Sequence, residues 1–127
     1  MREVFSVESQ DFKVLKDESS GLCKCRGRLD GRTVMSAIPS ADGATCVVLV
    51  DWMAFTGLRR ENLFCVRRDG SVAWAATLPV IDEYPPACDH FVTARSIDGE
   101  IDANSGSCCH MRLDRTTGRT LMSRFVK

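Results

Sequence analysis

Seven cysteines and two histidines carry the widest chemical repertoire in this chain, and several of them cluster. Cys88-Asp89-His90 sets a thiol, a carboxylate and an imidazole side by side. A nucleophilic pair needs the thiol within hydrogen-bond reach of the imidazole, and a third group to orient the ring. Such pairs are normally assembled from separate segments. Asp89 therefore reads as a turn or strand-entry residue and His90 as an exposed one. The chain has no Gly-x-Ser-x-Gly elbow and no phosphate-cradling glycine loop. No catalytic residue is assigned, and the expectation is a protein that is not an enzyme.

Cys23 and Cys25 are separated by one residue, and Cys108, Cys109 and His110 are consecutive. Structural zinc draws on cysteine pairs with two to four residues between them, a spacing that neither group has. On a strand, Cys23 and Cys25 share a face, as do Cys108 and His110, so a mixed site is geometrically open. The alternative is that the same-face cysteines pack as small hydrophobes while Cys109 faces the other way. The expectation is no metal ligand and no cofactor, with a metal- or thiol-dependent activity of these two groups as the alternative.

Charge is polarised along the chain. Between Val80 and Asn104 stand Asp82, Glu83, Asp89, Asp98, Glu100 and Asp102 against Arg95 alone. From Ser105 onward Arg112, Arg115, Arg119, Arg124 and Lys127 face only Asp114. Glu100 and Asp102 share a strand face and can join Asp82 and Glu83 in an acidic patch that steers a basic partner. Asp98 stands beside that face, and Tyr84 supplies an aromatic anchor. The competing reading is that these strands pair with the basic carboxy-terminal hairpin and neutralise it. Trp52 and Phe55, in the apolar loop Asp51–Leu58, suit either a protein interface or the capping of an open sheet end.

The elements that must position these residues are strands. Asp30-Gly31, Asp42-Gly43, Asp69-Gly70 and Asp98-Gly99 are hairpin signals, because a type I′ turn needs positive φ at both central residues. Thr117-Gly118 closes a further hairpin. Strands are expected over Glu3–Glu8, Phe12–Lys16, Leu22–Arg28, Arg32–Ile38, Cys46–Asp51 and in the paired segments around the later turns. Cys46–Val50 is apolar without alternation, which predicts a central strand covered on both faces. In the hairpin about Asp69-Gly70, Phe64 and Val66 are expected on one face, with Val72 and Trp74 matching them across the turn. Helix signals are confined to Trp52–Arg60, which Gly57 interrupts, and Pro85-Pro86 marks a rigid loop. The expected fold is one all-β domain over residues 1–127: an antiparallel meander of about eight to ten strands, blade-like or a small sandwich.

Composition narrows the partners. With 44% hydrophobic and 27% charged residues the chain is compatible with a folded core. Its 17 basic and 17 acidic side chains cancel, against the cationic excess of a general nucleic-acid binder. The amino terminus lacks the apolar run of a signal peptide, and the apolar stretch Cys46–Val50 is far too short to span a bilayer. A cytoplasmic location without membrane contact, with the cysteines mostly reduced, is the expectation.

Residues 62–75 and 109–122 share a pattern of apolar strand, Arg, Asp, a glycine turn and a second apolar strand. This resembles the outer hairpins of β-propeller blades, although a closed propeller takes at least four blades. The carboxy-terminal third, with Asp98-Gly99, Ala103-Asn104-Ser105, Leu113-Asp114, Thr117-Gly118 and Phe125-Val126-Lys127, is similar to small bacterial proteins of this length. Some of those resemble immunity proteins of contact-dependent growth-inhibition systems. The resemblance spans roughly residues 45–127. It implies a cytosolic binding protein that neutralises a cognate, basic toxin domain through Asp82, Glu83, Tyr84, Asp98, Glu100 and Asp102. A self-associating scaffold module is a further alternative.

Overall fold

The computed structural model describes residues 1–51, 62–78, 90–106 and 109–125. These form twelve strands in three antiparallel sheets. The first sheet contains β1 (Arg2–Val7), β2 (Phe12–Lys16) and β3 (Cys23–Arg26). The second runs β4 (Arg28–Leu29), β5 (Arg32–Pro39), β6 (Thr45–Val50), β7 (Leu63–Arg67) and β8 (Val72–Ala75). The third holds β9 (Phe91–Ile97), β10 (Glu100–Ser105), β11 (Cys109–Leu113) and β12 (Thr120–Phe125). Strand order follows chain order throughout, so the meander is observed.

Twelve strands exceed the expected number in part because Leu22–Arg28 is two elements. Gly27 divides it at φ +85°, and a Cβ there would lie 1.9 Å from the Asp11 carbonyl oxygen. No side chain fits that approach. The aspartate–glycine turns also divide into two kinds. Asp30-Gly31 and Asp98-Gly99 have positive φ at both residues, as a type I′ turn requires. At Asp42-Gly43 and Asp69-Gly70 only the glycine does. There the aspartate carboxylate accepts backbone N–H bonds from Ala44 and Ser71, two residues on, which stabilises a longer loop with a left-handed glycine.

The sheets stack in three layers, and β6 shows why. Cys46, Val48 and Val50 point to one side, where they meet Phe5, Val7, Phe12 and Val14 of the first sheet. Val47 and Leu49 point to the other, against Ile101, Ala103, Met111 and Leu113 of the third. The unbroken apolar run is therefore covered on both faces, as expected for Cys46–Val50. β7 behaves in the same way, with Phe64 and Val66 on the first side and Leu63 and Cys65 on the second.

Trp74 does not share the face of Phe64 and Val66. It lies across from Cys65 and packs against the third sheet, because a bulge between Cys65 and Val66 shifts the register. Val72 is exposed. The segments Trp52–Arg60 and Pro85-Pro86 lie outside the described residues.

Two polar clamps join the middle sheet to the third. The buried Asn62 side chain donates to the carbonyls of Val50 (3.2 Å) and Phe91 (2.7 Å) and accepts from the Phe91 N–H (2.9 Å). Arg115, in the β11–β12 turn, accepts from the Trp74 indole through its carbonyl (3.0 Å) and donates to the Ile38 carbonyl (2.7 Å).

Candidate functional site

Alternation along the third sheet separates its two faces. Ile101, Ala103, Met111 and Leu113 enter the core, so Glu100, Asp102, Asn104, His110 and Arg112 stand on the opposite, outward face. Register places Asp102 between Arg95 on β9 and Arg112 on β11, and Asn104 between Thr93 and His110. Five charged or titratable side chains thus converge on one patch of an outer layer.

Asp102 is its centre. Although it faces outward, its side chain is only 3% exposed, because the bases around it lie over it. Oδ1 pairs with His110 Nε2 at 2.5 Å, and Oδ2 accepts from Arg95 Nε at 3.2 Å. Arg112 Nε is 3.5 Å from Oδ1, while its Nη1 donates to Glu100 Oε1 at 3.0 Å. Asn104 Nδ2 donates to Thr93 Oγ1 at 3.0 Å. Desolvation pushes the Asp102 carboxyl up, but the hydrogen bonds and charges of His110 and Arg95 outweigh it and hold the group below the ordinary carboxylate range.

An aspartate that fixes one imidazole nitrogen leaves the other directed elsewhere, the orienting relation used in hydrolytic triads. A nucleophile would complete that chemistry. The nearby hydroxyl of Thr93 is held by Asn104, and no hydroxyl or thiol among the described residues is hydrogen-bonded to His110. The described side chains form a fixed mosaic of charge, with Arg95 largely exposed at its edge and Glu100 half-buried beside Arg112.

Asp98 sits in the β9–β10 turn, exposed, with φ +51°. Glu100 and Asp102 do share a face, but both are paired with bases of the third sheet, the arrangement set out above as the competing reading. Asp82, Glu83, Tyr84, Trp52 and Phe55 lie outside the described residues, as do Cys88, Asp89 and Cys108. His90 is half-buried rather than exposed, and its carbonyl accepts from Gly106 N–H at 2.9 Å.

Among the described residues, Cys109 does not meet Cys23 or Cys25. Cys109 points into the core between the middle and third sheets, not away from it, whereas Cys23 is exposed and Cys25 packs on the far side of the middle sheet. No group of three or more His, Cys, Asp or Glu side chains suited to a metal occurs among the described residues. Comparison with known protein families and with curated proteins gives no match to this chain.

Proposed function

We propose that this chain is a non-enzymatic binding protein that docks a protein partner on the outward face of its third sheet. More narrowly, we read it as a cytoplasmic immunity protein that neutralises a cognate basic toxin domain. The observation that supports the reading is the Asp102 cluster, in which ion pairs and hydrogen bonds hold His110, Arg95, Arg112 and Glu100 in place before any partner arrives. Side chains that are already ordered lose less rotamer entropy on association. Arginine is also enriched among the residues that dominate interfaces.

Pairing within the sheet changes which groups carry the recognition. Asp98 and Glu100, with Asp82 and Glu83, supply the acidic contribution, and Arg95 a neighbouring basic contact, so charge pattern selects the partner. Asp102 holds the pattern together from beneath. The test is co-purification of the full chain with a toxin domain encoded beside it, using Glu100→Lys and Arg95→Glu variants. Loss of the complex with unchanged melting behaviour supports this face. A wild-type chain that binds no neighbouring toxin and protects no cell from one defeats the reading.

A further inference from the structure

Next to the charged cluster, with Arg95 common to both, β3, β5 and β9 border a groove of about 650 Å³. Cys23, Cys25 and Met35 all line it. The two cysteines are neighbours on one face of β3, about 7 Å apart at Cα for an extended strand, and staggered rotamers allow their sulfurs to converge. Cys25 is partly buried against the layer below, while Cys23 is exposed.

Met35 reaches the same groove for a local reason. The β5–β6 register slips between Val34 and Ser36, so Met35 is the extra residue of a bulge, and it is left 64% exposed. A large apolar side chain placed in that way gains little from packing. A thioether that lines the same groove as two thiols does have a chemical use.

The lining also excludes other ligands. It contains no aspartate, glutamate or histidine, so calcium, magnesium and manganese would find no carboxylate there. Zinc would lack a four-ligand nitrogen and sulfur set. Soft thiolate and thioether donors select monovalent copper, which tolerates low coordination numbers. Lys24 and Arg95 stand on the groove wall and would offset the negative charge of a dithiolate complex.

We propose that Cys23, Cys25 and Met35 form a binding site for monovalent copper. Binding replaces the two thiol protons by one cuprous ion: both protons pass to solvent, two copper–sulfur bonds form, and Met35 adds a weaker third donor. No change of oxidation state is involved.

The experiment is an anaerobic titration of the reduced full chain with cuprous ion, in competition with bathocuproine disulfonate. One equivalent should be withdrawn from the chelator. Cys23→Ser and Cys25→Ser should each lose that equivalent, and Met35→Leu should weaken it about tenfold, a difference of about 1.4 kcal/mol. Because Cys23 is exposed, the Cys23→Ser variant should keep the wild-type circular dichroism, which separates loss of a ligand from loss of the fold. No copper withdrawn by the wild type, or undiminished binding by Cys23→Ser, overturns the site. So does binding that disappears only when Cys88 and Cys108 are replaced. An unchanged affinity in Met35→Leu removes the thioether from it.

Discussion

Asp102 combines two conditions that oppose one another: a carboxylate taken out of water and a close shell of bases. Breaking a buried ion pair costs more than the pair contributes, because a group is left without its partner. Asp102→Asn keeps the shape but removes the charge, and should destabilise the protein by about 2 kcal/mol at neutral pH. The pH dependence follows from the direction of the shift. The folded carboxyl lies below its unfolded value of about 3.9, so its contribution is complete above that value. It disappears as pH falls through the lower, folded value. Urea denaturation of wild type and Asp102→Asn at pH 7 and pH 3 should therefore show a gap that narrows on acidification. A gap independent of pH would mean that charge is not what the substitution removes.

Part of this cluster was legible in the sequence. The acidic run followed by a basic hairpin raised the possibility of mutual neutralisation, and Glu100 with Arg112 realises it. The bond from His110 to Asp102 was not legible. The two are not directly opposite, since Asp102 faces Arg112 and His110 faces Asn104. Their contact is diagonal, and a diagonal contact depends on a register that no local pattern states.

At the level of the elements, the third sheet shares a hydrophobic core with the second, and specific contacts fix one on the other. Gly118 lies against the Trp74 ring, where a Cβ would come within 2.3 Å of Cε3. Gly99 has nearly the same φ, +78° against +74°, and open space around it. Ala at either position incurs a similar backbone cost, so the difference between Gly118→Ala and Gly99→Ala isolates the contact with the indole. Gly118→Ala should be the less stable by about 2 kcal/mol in denaturant melts; equal losses would show that the turn yields without disturbing Trp74.

The second attachment is Asn62, whose amide serves the backbone of two strands. Asn62→Ala leaves the Phe91 N–H and C=O without this partner inside the protein. It should cost about 3 kcal/mol, read from the same melts. The aspartate–glycine pairs announced the place of each turn through its left-handed glycine but not its type, since Asp30 and Asp98 have positive φ and Asp42 and Asp69 do not. Neither attachment was announced. Asn62 directly precedes a strand and looks like any loop asparagine, and the face of Trp74 is set by a bulge that alternation does not reveal.

The whole molecule is organised around a middle sheet with no solvent-facing side over β6 and β7. Amides of Val47–Leu49 and Phe64–Val66 should exchange with solvent only through global unfolding, and those of the edge strands β1 and β12 through local opening. Hydrogen exchange followed residue by residue checks this. Comparable rates in β6 and β12 would contradict the layered arrangement. The all-β class was readable from the turns, and the covering of Cys46–Val50 from its unbroken apolar run. The number of layers was not readable, because a strand buried on both faces does not say whether a single folded-over sheet or two separate ones cover it.

Each layer is one uninterrupted stretch of chain, and this gives synthesis a direction. The first sheet can meet one side of the second as soon as both have left the ribosome, with every pairing made between neighbours in sequence. The other side, with Leu63, Cys65 and Trp74, stays bare until residues 90–125 arrive. During that interval the nascent chain presents an adhesive apolar sheet. A chain halted before β9 should accordingly aggregate or be held by chaperones, rather than persist as a smaller folded protein.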